Sequence, residues 1–191
     1  SASHFCQDIT LKIAFVITRS DAVGGAQIHV RDISTALRKA GHEAVVLAGG
    51  SGPWLEQLQE RNIPVITLRH MQRSISPINE IRALFELRRH LRALAPDLVS
   101  THTAKAGVLG RIAAASLRLP VMFTAHGWTF TDGISRLKAT VWRTIEQMVG
   151  RLAGRIVTVS EFDRRLALQA RIAAPERIIA IHNGMPDVGP E

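Results

Sequence analysis

Residues Leu11 to Gln27 read LKIAFVITRSDAVGGAQ. An apolar run, a short polar turn, a Gly-Gly pair and the start of an amphipathic stretch follow one another directly. This is the pattern of a buried strand handing the chain to a helix N-terminus, where free N–H groups and the helix dipole favour an anion. Gly24 and Gly25 permit two readings, a turn that needs positive φ or a close approach of ligand to backbone. The third glycine of a dinucleotide fingerprint is missing, and no acidic residue follows the second apolar run to hold a ribose. A Gly-Lys-Ser/Thr sequence is missing too, which excludes a nucleotide P-loop in the sequence given.

Outward from that stretch, the same unit recurs. Apolar runs at Val45–Ala48, Ile63–Leu68, Asp97–Thr101, Pro120–Ala125, Arg155–Val159 and Ile178–His182 read as further strands. Helical spacing fills the intervals: Gly25–Ala40, Pro53–Arg61, Pro77–Leu94, about Lys105–Leu117, about Arg136–Ala153 and Glu161–Ile172. Arg69 to Ser76 breaks the pattern and reads as a loop. About seven strands alternating with helices predict a Rossmann-like α/β fold, a doubly wound, mostly parallel sheet with helices on both faces. Residues 1–10 are patternless and read as a tail, and 11–184 as one domain. Residues 185–191, MPDVGPE, carry the Pro and Gly of a linker toward a further domain.

A hydrophobic fraction of 46% with 21% charged residues fits a folded domain and argues against disorder. No apolar run approaches the roughly 18 residues a membrane span needs, and no signal-peptide pattern stands at the N-terminus. Cys6 is the single cysteine, so no intrachain disulfide forms within these residues. A cytoplasmic setting is expected. The 24 Lys and Arg against 16 Asp and Glu leave +8, which calls for an anionic partner. Aromatics are 5% with no Tyr, and no zinc-finger or RNA-motif spacing is present, so nucleic acid is not expected. Arg69, Arg73, Arg82, Arg88, Arg89 and Arg92 cluster around the helix Pro77–Leu94 and its entry loop. Arg136, Lys138 and Arg143 lie near Trp128 and Trp142. Each group is either a solvated helix face or part of a surface for an anionic membrane.

In an open parallel sheet, ligands bind beyond the carboxyl ends of the strands. The unusual polar residues fall there: Gly24, Gly25 and Gln27 after the first strand, and His102, Thr103 and Lys105 after the fourth. His126 and Gly127 follow the fifth, Ser160 and Glu161 the sixth, and His182, Asn183 and Gly184 the seventh. Lys105 in a first helical turn opposes the dipole unless an anion shares the site. Ser160 suits an N-cap, and His126 can donate a hydrogen bond into a cleft. His102, His126 and His182 leave three separate strands without local ligand spacing, so no metal is expected. Gly-x-Ser-x-Gly is missing, which argues against a serine hydrolase.

Taken together, GGAQIHVRDISTALRKAGHEAVVL, THTAKAGVLGR, TAHGW, VTVSEFDRRL and RIIAIHNGMPD resemble the N-terminal half of family 4 retaining glycosyltransferases of the GT-B fold. The resemblance runs from about Leu11 to Asp187. It implies two Rossmann-like domains face to face, the N-terminal one holding the acceptor. It implies His126 as the histidine that contacts the donor sugar near the reaction centre, and Asn183-Gly184 at the hinge. The Gly24-Gly25 loop would approach donor phosphates or acceptor. The implied substrates are a nucleotide-diphosphate sugar, with no separate cofactor, and a sugar or lipid-linked acceptor at the inner membrane face. The family's donor site carries a Glu-x7-Glu motif in the C-terminal domain, and no two glutamates here have that spacing. The chain therefore reads as half of an enzyme, inactive alone. The alternatives are half of a sugar-nucleotide epimerase or a non-catalytic module that binds anions or membranes. Asp132 is the nearest carboxylate to His126 in sequence and offers no evident pair for a double displacement.

Overall fold

The computed structural model describes residues 9–74, 76–131 and 133–184. Seven parallel strands lie in the order β3-β2-β1-β4-β5-β6-β7. They are β1 Lys12–Ile17, β2 Glu43–Gly49, β3 Val65–Leu68, β4 Leu98–His102, β5 Val121–Ala125, β6 Arg155–Thr158 and β7 Ile178–Ala180. The helices are α1 Gly25–Lys39, α2 Pro53–Glu60, α3 Pro77–Leu94, α4 Ala104–Ser116, α5 Arg136–Gly150 and α6 Glu161–Gln169. The Rossmann-like doubly wound reading is thus correct. The strand order reverses at β1, which pairs with β2 on one side and β4 on the other. A crevice opens at such a switch point, because the loops leaving the two strands diverge.

Side-chain alternation along β1 divides the core. Ile13, Phe15 and Ile17 pack with Val30 of α1 and Trp54 and Leu58 of α2. Ala14 and Val16 face the other way, against Leu87 and Leu91 of α3 and Leu109 of α4. Phe123 of β5 and Ile156 of β6 carry that second layer on to Ala167 and Ala170 at α6. Past α1, the opposite face of β4, β5 and β6 borders a cavity of about 350 Å³ lined by Ile33, Leu98, Met122 and Val157, with His29 and His102 among its walls.

Element ends depart from the sequence reading where tertiary pairing or capping decides them. β2 begins two residues earlier than expected because Glu43 aligns with Lys12 of β1. β3 begins two residues late because the Ile63 N–H is used at 2.9 Å on the Leu58 carbonyl, closing α2. α6 stops before Ile172 for the same reason, since the Ile172 N–H reaches the Ala167 carbonyl and the Arg171 N–H the Leu168 carbonyl. This Schellman closure ends α1, α2, α4 and α6 alike, with left-handed residues Gly41, Asn62, Arg118 and Arg171. Only one of the four is glycine. Arg118 is exposed with φ 58°, so Arg118→Gly is expected to stabilise the fold by about 0.5–1 kcal/mol through relief of left-handed strain. A higher urea midpoint at constant m value checks this.

Candidate active site at the carboxyl edge of the sheet

Gly24 caps α1 with φ −122° and ψ −175°, ordinary extended backbone. Neither Gly24 nor Gly25 has positive φ. A Cβ added at Gly25 would meet nothing within 4 Å. Backbone conformation therefore does not require glycine at either position, although a Cβ at Gly24 would come within 3.3 Å of Gln27 Oε1, and the reading of a positive-φ turn fails. What the pair does is leave the first-turn N–H groups of α1 unshielded. Gln27, buried, secures the loop from inside. Its Oε1 accepts the Gly24 N–H at 3.2 Å and its Nε2 donates to the Arg19 carbonyl at 3.3 Å. The Trp54 indole donates to the Gln27 carbonyl at 3.0 Å.

Across the switch point, two threonines join the strand ends. The hydroxyls of Thr18 and Thr103 lie 2.7 Å apart, and Thr18 Oγ1 also accepts the Ala106 N–H at 3.1 Å. Thr103 sits at φ 67° and ψ 158°, a region that belongs almost entirely to glycine. The strain is held by these bonds and by the bond from its hydroxyl to the His102 carbonyl. Its effect is to turn the chain sharply between His102 and the first turn of α4.

Three imidazoles meet beside this turn. His102, at the end of β4, is buried and stacks on Phe15. Its Nε2 lies 3.0 Å from Ser100 Oγ and its Nδ1 3.2 Å from His126 Nε2. His29 of α1 closes the group, its ring 5.2 Å from that of His126 and 5.6 Å from that of His102. Burial pushes His126 down to about 4, with the neighbouring His29 adding to the shift. Burial first, then His126 and His29, holds His102 well below its ordinary value. His29 is lowered by burial, a shift that the Asn183 side chain opposes by hydrogen bonding. All three rings are therefore neutral near pH 7, each able to donate at one nitrogen and accept at the other.

The ring nitrogens of His29, His102 and His126 lie within 4.8 Å of one another. The sequence reading grouped His182 with His102 and His126. The structure puts His29 in that place, and His182 is exposed outside the group. His29 was missed, although it stands one helical turn after Gly25 and so rises over the same end of the sheet. Arg19, Asp21 and Arg73 line a cavity of about 340 Å³ on the β2 side of the crevice. Arg19 there grips Asp21 through two hydrogen bonds of 2.7 and 2.9 Å.

The remaining residues named from sequence divide. Gly127 has φ 128°, so here the turn does require glycine. Asn183 lies against His29, and Gly184 beyond it is exposed with open space around it. Lys105 is not a free cation. Its ammonium donates to the carbonyls of Gln72 and Ser74 and pairs with Glu80, all at 2.6 Å. Glu80 supplies the negative charge the helix N-terminus favours, and Lys105 pins the loop after β3. Ser160 caps α6, its Oγ accepting the Asp163 N–H at 3.0 Å. Asp132, residues 1–8 and the linker at 185–191 lie outside the described residues.

A model described as a glycosyl transferase 4-like domain matches residues 24–184. The chain belongs to the glycosyl transferase 4-like family. It is 28% identical over 136 residues to the Escherichia coli UDP-Gal:alpha-D-GlcNAc-diphosphoundecaprenol alpha-1,3-galactosyltransferase, covering 71% of this chain and 35% of that protein. Anabaena HepE, solved with UDP and glucose, superposes with a TM-score of 0.72 at 24% identity over 92% of this chain and 45% of its own. The UDP-N-acetylglucosamine 2-epimerase of Rickettsia bellii gives 0.65 at 16% identity, over 90% and 44%. The chain thus spans about a third of the curated relative it matches and under half of these solved structures. The fold of the glycosyl transferase 4-like domain is that of the GT-B glycosyltransferase neighbours. Among the described residues no helix is long and apolar enough to cross a membrane.

The depressed histidines make a prediction about pH. An unfolded chain binds protons at these rings as pH falls through the ordinary value of 6.5, whereas folded His126 does so only near 4. Between those values the unfolded state holds more protons, so stability falls as pH drops through the window and is fully present above it. Allowing for partial exposure, His126 is expected to contribute about 1–2 kcal/mol of that loss. Urea midpoints from pH 7 to pH 4 measure it, and His126→Gln should flatten the slope.

Proposed function

We propose that this chain forms the acceptor-side wall of a glycosyltransferase cleft. The enzyme moves a sugar from a nucleotide-diphosphate donor to a sugar or lipid-linked acceptor in cell-surface glycan or glycolipid synthesis. The observation that carries this is the convergence, at the switch point, of the open Gly24-Gly25 helix entry with three neutral imidazoles in a chain of this family. Neutral His126 can donate a hydrogen bond to a donor-sugar hydroxyl without adding a charge beside the reacting carbon. The unshielded N–H groups of α1 suit diphosphate oxygens. Lys105, Gln27 and Ser160 hold the loops and helix entry that shape this edge, while His102 orients His126 and Asn183 faces His29. Transfer with retention, the departing phosphate taking the acceptor proton, is the course that the resemblance to family 4 retaining enzymes implies for this cleft.

The relative from Escherichia coli is named for a UDP-Gal donor and a diphosphoundecaprenol-linked acceptor, and HepE holds UDP and glucose. These names favour a UDP-sugar and a lipid-linked acceptor here. A lipid-linked acceptor would bring the work to a membrane surface, and the family resemblance implies its inner face. A second Rossmann-like domain of the same polypeptide would bring the nucleotide site, because a transfer cleft must orient two substrates at once. The test is product analysis with UDP-sugar and polyprenyl-diphosphate-linked acceptor, using the polypeptide with both domains and the 191-residue chain alone. Sugar on the acceptor only with both domains supports the proposal. An epimerised free nucleotide sugar without transfer would overturn it.

A further inference from the structure

We infer that the outward ridge of α3, with the groove beside it, docks onto the headgroup layer of an anionic lipid bilayer. This rests on the membrane setting proposed above and names the surface that meets it. Helix α3 buries Ala83, Leu87 and Leu91 in the core. Its other side carries Ile78, Ile81 and Phe85 at 63%, 58% and 65% exposure. Large apolar residues at positions i, i+3 and i+7 form one stripe, and nothing in the core calls for them there.

The charges around that stripe are sorted by sign. Arg69 leaves β3, and Arg82 and Arg89 stand on α3; with Phe85 they line a groove of about 770 Å³. Two carboxylates stand nearby, Glu80 and Glu86, the second also lining the groove, and both are engaged by partners. Glu80 pairs with Lys105, and Glu86 accepts the backbone N–H groups of Arg69 and His70, each at 2.9 Å. Among the described residues, none of Arg69, Arg82 and Arg89 forms an ion pair. The surface therefore offers free guanidinium groups interleaved with apolar side chains. A protein partner of negative charge would match the cations but not the stripe, and a neutral apolar partner the reverse. The interface of an anionic bilayer matches both, phosphates meeting arginines while Ile78, Ile81 and Phe85 enter the acyl boundary.

A second ridge lies on the same side of the sheet. Leu137, Val141 and Met148 of α5 are 75%, 50% and 70% exposed. Residues of α3 and α5, Glu80 and Trp142 among them, share a hollow over Leu109 of α4. Because α3 starts at the carboxyl edge, next to the loop that Lys105 pins, docking on it brings the crevice to the lipid surface.

Vesicle co-sedimentation tests this with the 191-residue chain, using phosphatidylcholine alone and phosphatidylcholine mixed with phosphatidylglycerol. Binding to the mixed vesicles that weakens as salt rises, with little binding to the neutral ones, is expected. Ile81→Glu/Phe85→Glu and Arg82→Glu/Arg89→Glu should each reduce that partitioning by about tenfold or more. Arg38→Glu/Lys39→Glu on α1, across the sheet, should reduce it much less, and circular dichroism should be unchanged in all three. No binding to mixed vesicles, equal losses in all three variants, or full competition by inorganic phosphate at matched ionic strength would overturn the inference. The measurement needs no donor or acceptor, so its failure is separate from failure of the glycosyltransferase reading. Placed in the proposed two-domain polypeptide, the α3 variants should still transfer sugar to a water-soluble acceptor.

Discussion

Glu146→Ala is expected to destabilise this domain by about 3–5 kcal/mol, a large part of what holds a domain of this size folded. Glu146 of α5 and Arg111 of α4 form an ion pair of 2.7 Å with side-chain exposures of 2% and 0%. Arg111 also donates from Nε to the Gly107 carbonyl at 2.7 Å and lies 4.2 Å above the Phe123 ring. Burial raises the Glu146 carboxyl and lowers the Arg111 guanidinium, and in each case the partner's opposite charge works against the shift. Removing the carboxylate leaves a buried cation with one nitrogen, Nη1, already lacking a hydrogen-bond partner among the described residues. Replacing both partners, as Arg111→Met/Glu146→Leu, removes the uncompensated charge and should recover most of the loss. Urea unfolding followed by the fluorescence of buried Trp54 and Trp128 reads both variants. Equal destabilisation of the single and double variants would contradict the electrostatic account.

The pair matters for the site because α4 carries the Thr103 turn and Lys105 at its entry. Little of that coupling is legible in the sequence. Apolar periodicity suffices to place the seven strands and six helices among the described residues, because the strands are short apolar runs and the helices repeat apolar residues at helical spacing. Element ends are harder to read, since Asn62, Arg118 and Arg171 adopt left-handed caps without the glycine that announces one. The rule that ligands gather at the carboxyl ends of parallel strands locates the edge, and His102, His126 and Asn183 meet there. It does not show that the loop after β3 folds over Lys105 and uses up its ammonium. That contact joins residues more than 30 positions apart and leaves no local pattern. The strained Thr103 is silent for another reason, as its conformation is imposed by Thr18 across the sheet.

His126→Ala in the proposed two-domain polypeptide carries the second large effect. The ring is held by His102 Nδ1 at 3.2 Å, and behind it Ser100 fixes His102, so its orientation is set before any ligand arrives. An oriented hydrogen-bond donor beside developing charge typically contributes about 10²–10³ in rate, and the variant's kcat is expected to fall by that factor. The fold should survive, because His126 is only partly buried and its loss also removes a proton-sensitive group. The most direct measurement is initial-rate sugar transfer from UDP-sugar to a lipid-linked acceptor for wild type and His126→Ala, with thermal unfolding recorded for both. A loss of at least about 10²-fold in kcat at nearly unchanged Tm is expected. Unchanged kinetics in a folded variant would contradict it.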